Sequence, residues 1–218
     1  MPATTIYFLT GLGADERFCE RLEIPGYVFK FIAWKPFSKA DTLQTYAMKM
    51  AQDIPPGKQL IAGLSFGGML AVEIAKARPE VHAMLISTAR TAKDVKWINP
   101  INRAIMNWNL IPRKLLGRPN PLAYKVLGAT NAEERALIDD INRKCDPDIK
   151  ISSMKAILNW TNTVVPANTF HVHGTDDKML MPKRNAPDVW LEGGKHIMIY
   201  TRAKEVSAIL ERYLQSIG

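Results

Sequence analysis

Apolar positions in this chain come in short blocks that alternate between two periods. "TTIYFLTGLG" (Thr4–Gly13) is a continuous apolar run, rich in β-branched and aromatic residues, that ends in Gly-x-Gly. Such a run predicts a buried strand entering a loop. "YVFKFIAW" (Tyr27–Trp34) predicts a second strand, closed by Pro36. In "TLQTYAMKMAQDI" the apolar residues fall at Leu43, Tyr46, Ala47, Met50, Ala51 and Ile54. That spacing predicts a helix, with Asp41 as its N-cap and Pro55-Pro56-Gly57 as its stop. "KQLIAGL" predicts a third strand, "FGGMLAVEIAKARP" a helix ending before Pro79, and "VHAMLIST" a fourth strand.

Strands alternating with helices at this spacing imply a parallel sheet covered on both faces. The rhythm breaks near Thr91. From Trp97 to Trp160 helical patterns are punctuated by Pro112, Gly117, Pro119, Pro121, Gly128 and Pro147. It returns with "NTFHVHG", then "DVWLEGG", then a last helix over Arg202–Ser216. The expected architecture is α/β, a doubly wound, mostly parallel sheet of about six strands. Its core would comprise residues 1–92 and 166–218, with residues 93–165 inserted as a helical lid. Internal repeats and low-complexity tracts are absent from the sequence.

Composition narrows the function classes. Hydrophobic residues make up 47% of 218 residues, enough for one well-packed domain. No apolar run reaches the roughly eighteen residues of a transmembrane helix. The opening "MPATTIYFLTG" lacks a basic start and a signal-like block, so the expectation is a cytoplasmic protein. Two distant cysteines, Cys19 and Cys145, read as free thiols, and with four histidines they suggest no zinc site. The net charge is +8, concentrated between Lys93 and Lys125, where seven Lys or Arg face one acid, Asp94. Without an accompanying nucleic-acid motif this reads as a solvated basic face, and no nucleic-acid partner is expected.

The chemistry centres on Gly63-Leu64-Ser65-Phe66-Gly67, between the third strand and its helix. A serine hydroxyl becomes a useful nucleophile when rigid backbone projects it toward a base and toward oxyanion donors. A sharp strand-to-helix turn provides that projection, and it crowds the positions two residues before and after the serine. Glycine at both places relieves the crowding. The following helix directs its positive end at developing negative charge. This arrangement resembles the nucleophile elbow of the α/β-hydrolase superfamily, small carboxylesterase-like serine hydrolases with a helical cap.

The resemblance covers Thr5 to about Arg90 and Asn168–Ser216, and it implies further positions. The superfamily order is Ser, acid, His. Gly174-Thr175-Asp176-Asp177 matches the acid turn and makes Asp177 the acid, with Asp176 as the competing neighbour and Asp94 the fallback. "EGGKHIMIY" places His196 where the base belongs. Oxyanion donors would be the backbone N–H groups of Phe66 and of Leu12, in a loop that carries Thr10 where relatives usually carry histidine. The implied function is hydrolysis of an ester or similar acyl bond of a small apolar substrate, with neither metal nor cofactor. Alternatives on the same fold are a slow-turnover binding module, a thioester or C–C hydrolase, and an acyltransferase. The insertion is expected to form the pocket wall, with Trp97, Ile105 and Trp108 as candidate substrate contacts and a basic outer face that could attract anionic substrates or membrane surfaces. Oligomeric state is left open.

Overall fold

The structure, a computed structural model, describes residues 3–38, 40–96, 98–107, 121–182 and 184–217, with backbone alone at 106 and 107. Six strands form one sheet: β1 (Thr4–Leu9), β2 (Tyr27–Phe31), β3 (Leu60–Leu64), β4 (His82–Ile86), β5 (Thr169–Gly174) and β6 (Val189–Leu191). Their order is β2-β1-β3-β4-β5-β6 and every pairing is parallel. All six carboxyl ends therefore meet along one edge.

Side-chain alternation along the strands builds two cores. Tyr7, Leu9, Ile61 and Leu85 face one side, where they pack with Tyr46 and Met50 of helix α1 (Leu43–Ala51) and Leu70 and Ile74 of α2 (Phe66–Ala77). Ile6, Phe8, Ala62, Met84 and Val172 face the other side. There they meet Val206 and Leu210 of the last helix, α8 (Ala203–Ile217), which follows the short α7 (Met198–Thr201). Helices on both faces make the sheet doubly wound.

Two local expectations change. Asp41 does not cap α1. Thr42 does, accepting from the Thr45 N–H at 3.1 Å while the Thr45 hydroxyl accepts from the Thr42 N–H at 2.9 Å. Asp41 instead accepts from the Ser38 N–H at 2.7 Å and pairs with Lys49 at 2.9 Å. The reciprocal Thr42–Thr45 pair satisfies two helix-end donors, so the helix starts one residue later. Strand β2 ends at Phe31 rather than Trp34, because the Trp34 indole N–H donates to the Ala14 carbonyl at 3.1 Å and its ring stacks on Phe66.

Among the described residues four α-helices lie between β4 and β5: α3 (Pro100–Asn107), α4 (Pro121–Leu127), α5 (Ala132–Lys144) and α6 (Pro147–Leu158). Their attachments are polar and specific. Arg17, in the loop after β1, reaches Asp140 of α5 at 2.6 Å. Just beyond α6, the buried Trp160 donates its indole N–H to Glu73 Oε1 of α2 at 2.7 Å. Glu73 is only 2% exposed, and Lys76 holds its other oxygen at 2.9 Å. Trp160→Phe keeps the ring but leaves one oxygen of a buried carboxylate without its donor. The expected cost is about 2 kcal/mol in urea unfolding. An unchanged unfolding midpoint would show that this contact does not anchor the helical segment.

Candidate active site

Ser65 sits between β3 and α2 with φ 52° and ψ −115°. The left-handed φ is unfavourable for a residue with a side chain. Its neighbours hold it there. The Ser65 N–H donates to the Ile86 carbonyl at 3.0 Å, and the Thr88 hydroxyl donates to the Ser65 carbonyl at 2.5 Å. A Cβ on Gly63 would lie 2.6 Å from the Gly67 carbonyl carbon, and one on Gly67 would collide with the Leu9 and Thr10 carbonyl oxygens. Neither position has room for any side chain, as the elbow reading requires.

His196 arrives in the loop between β6 and α7, and Asp177 in the turn after β5. His196 Nε2 lies 3.0 Å from Ser65 Oγ, and its Nδ1 lies 2.7 Å from Asp177 Oδ2. Asp177 is fully buried and His196 nearly so. The second Asp177 oxygen accepts from the N–H groups of Met179 at 2.8 Å and Leu180 at 3.0 Å. Asp176 is exposed, and its backbone N–H donates to the Gly194 carbonyl at 2.9 Å, tying the acid turn to the histidine loop. Asp94 is occupied elsewhere: it accepts from Thr91 at 2.9 Å and from the Asn185 side chain at 2.6 Å. The structure thus brings Ser65, His196 and Asp177 together and leaves Asp176 and Asp94 apart.

Behind Asp177 lie two further histidines of β5. His173 Nε2 is 2.9 Å from the Leu180 carbonyl oxygen and 3.2 Å from Asp177 Oδ2. Both oxygens only accept, so this nitrogen carries the hydrogen. His173 Nδ1 then accepts from His171 Nε2 at 3.2 Å. His171 Nδ1 is left as a buried acceptor with no partner among the described residues. Both rings are fully buried. The signal in the sequence was two histidines two apart on the strand leading into the acid turn, which puts both on one face. Burial opposes charge on Asp177, but the attraction of His196 and the hydrogen bonds from both rings outweigh it and hold the carboxyl well below the usual range. Burial, with His173 and Arg90 nearby, pushes His171 well below its ordinary value.

Ser65 and His196 open into a cavity of about 670 Å³. Leu12 and Phe66 line it beside the serine. Phe66 is the first residue of α2, so its N–H has no intrahelical partner. The far walls are Val126 and Leu127 of α4, Ile138 and Ile141 of α5, and Met154 and Ile157 of α6. The polar exceptions include Lys150, whose ammonium donates to Asn142, and Asp139, which accepts from the Tyr124 hydroxyl at 2.6 Å. Ile105 does not line this cavity and is 38% exposed, and its neighbour Ile101 is 72% exposed. Among the described residues of the helical segment, α4–α6 line the cavity and α3 does not. Trp97 and Trp108 lie outside the described residues. Among the described residues no group of three His, Cys, Asp or Glu could hold a metal ion. No helix among them is long and apolar enough to cross a membrane.

Solved structures with this architecture are numerous. The chain is similar to an esterase from Thermogutta terrifontis (14% identity, TM-score 0.76, covering 99% of this chain and 91% of that one). A carboxylesterase from Nitrososphaera gargenis matches at 16% identity and TM-score 0.71, over 99% and 91% of the two chains. A lipase-esterase related protein from Clostridium acetobutylicum matches at 18% identity and TM-score 0.69, over 96% and 93%. The chain has the α/β-hydrolase fold. No family model and no curated protein matches it.

The buried histidine pair has a consequence for stability. His171 stays neutral when folded, whereas the unfolded chain protonates it near pH 6.5. Below that value the unfolded state binds the extra proton, so stability is complete above pH 6.5 and declines as pH falls. Asp177, also depressed, adds loss below about pH 4. His171→Gln removes the first contribution. Its melting temperature should therefore fall less than wild type between pH 7 and pH 5, and identical slopes would contradict the neutral assignment.

Proposed function

We propose that this protein is a serine hydrolase that cleaves an ester or similar acyl bond through an acyl-enzyme. One observation carries the reading: the unbroken chain of hydrogen-bond distances from Ser65 through His196 to Asp177, at the mouth of a mostly apolar cavity. The esterase and carboxylesterase neighbours support the same class of reaction.

Each group then has a role set by its position. Ser65 Oγ attacks the acyl carbon as His196 Nε2 takes its proton. Asp177 accepts from His196 Nδ1, which fixes the tautomer that leaves Nε2 free and stabilises the imidazolium once formed. The carbonyl oxygen gains negative charge near the Leu12 and Phe66 N–H groups and the start of α2, where donors already aligned lower the barrier. His196 returns the proton to the departing oxygen, and the alcohol leaves. Water, deprotonated by the same nitrogen, then attacks the acyl-enzyme and releases the acid and Ser65. His173 acts through Asp177 as a positioning residue.

Residues 93–165 serve here as the lid: α4–α6 close the cavity over Ser65 and present it with aliphatic side chains. The fit favours apolar acyl groups. The two free thiols, Cys19 and Cys145, suit a reducing compartment such as the cytoplasm.

The test is hydrolysis of simple aryl esters. Ser65→Ala is expected to abolish turnover, Asp177→Asn to lower kcat by about 10⁴-fold, and Asp176→Asn to leave it nearly unchanged. Loss of activity in Asp176→Asn with Asp177→Asn spared would overturn the assignment of the acid. Along a series of acyl chains, each methylene buried in the cavity should raise kcat/KM by up to about fourfold. Met154→Ala should move the optimum to longer chains. A profile flat with chain length would rule out the lid as the specificity element.

A further inference from the structure

A second depression, of about 390 Å³, adjoins the cavity at Ser65. Tyr124 and Lys178 line both, so the two share a wall. Four cationic side chains, Lys125, Arg135, Lys178 and Lys195, surround it, against one carboxylate, Asp176. Asp139, which lines the Ser65 cavity and not the depression, is engaged by the Tyr124 hydroxyl at 2.6 Å.

The cations here differ from others in the molecule. Arg17 reaches Asp15 and Asp140, each at 2.6 Å, Lys49 reaches Asp41 at 2.9 Å, and Lys76 reaches Glu73 at 2.9 Å. Among the described residues no ion pair engages Lys125, Arg135, Lys178 or Lys195. Arg135 lies over the Tyr124 ring, 6.0 Å from its centroid, which leaves its charge unneutralised. Four like charges around one concavity repel one another, and a bound anion would relieve that repulsion.

The placement of the depression says which part of a substrate reaches it. Lys195 precedes His196 in the chain, and Asp176 and Lys178 bracket Asp177. All three residues line the depression, so it lies on the histidine side of Ser65. His196 must hand its proton to the leaving oxygen, so the leaving group departs on that side. The aliphatic chamber is left for the acyl chain.

We propose that the depression is an anion-binding vestibule, and that the substrate is an ester of an apolar acid with an alcohol bearing a carboxylate or a phosphate. This deepens the hydrolase reading and rests on it for the identity of the leaving group; the anion site itself does not depend on turnover.

The experiment uses three esters of one apolar acid, whose alcohols end in a methyl group, a carboxylate or a phosphate. Ser65→Ala protein, which cannot turn them over, is titrated with each by calorimetry, and wild type is assayed with each. Anionic esters are expected to bind about tenfold more tightly than the neutral one. The advantage should shrink in about 0.5 M salt. It should disappear when Lys125→Gln and Arg135→Gln are added, exposed positions whose loss leaves the neutral ester's binding and hydrolysis unchanged. The carboxylate and phosphate arms identify which anion the vestibule prefers. Equal binding of all three esters, or an advantage that survives the double substitution, would overturn the proposal. A binding preference that follows these substitutions without turnover of any ester by wild type would support the vestibule and overturn the hydrolase reading instead.

Discussion

The backbone of Ser65 is the constraint on which the site depends. At φ 52° and ψ −115° the residue occupies a conformation that costs on the order of 1–3 kcal/mol and persists only where its surroundings over-determine it. Three features do so: the ladder from β3 to β4, extended by the Ser65 N–H bond to Ile86; the Thr88 hydroxyl on the Ser65 carbonyl; and the packing of Gly67 on the carbonyls that end β1. Because the sheet is wholly parallel, the ends of β1, β3 and β5 lie along the same edge as this turn. The loops that leave them carry Leu12, Ser65 and Asp177, and the loop after β6 carries His196. Residues separated by over a hundred positions thus converge, as the crevice at the carboxyl ends of an open α/β sheet permits.

The second requirement is electrostatic. A carboxylate with no exposure is costly unless hydrogen bonds compensate. Asp177 has them on both oxygens: two backbone N–H groups on one, and His196 and His173 on the other. The acid turn therefore serves folding and chemistry through the same contacts. The orphan acceptor on His171 marks where that compensation stops, and burial keeps this ring neutral.

Much of this was legible from the chain. Apolar period located every strand and the helices α1, α2 and α8, since tightly packed βα units leave a clear pattern. The elbow was readable because its glycines answer a steric demand local to five residues. The rest depends on contacts distant in sequence. Asp41 and Thr42 are both good capping residues, and Lys49, a helical turn and more away, engages Asp41 and leaves the cap to Thr42. Trp34 leaves the strand for a carbonyl and a ring that only the folded chain brings near. In the helical segment, apolar spacing could not tell which helices cross the mouth. α4–α6 form the wall, while Ile101 and Ile105 of α3 are exposed. His171 and His173 read as strand residues and nothing more, because Asp177 becomes the partner of His173 only once the turn after β5 folds back.

The central claim is that Ser65 is activated, and the reactivity of its hydroxyl tests it most directly. Wild-type protein is treated with a fluorophosphonate, digested, and the adduct located by mass. The account predicts rapid, stoichiometric modification at Ser65 alone, and its loss in His196→Ala, where no base remains to take the proton. Modification of a different serine, or labelling of Ser65 at the same rate without His196, would contradict it.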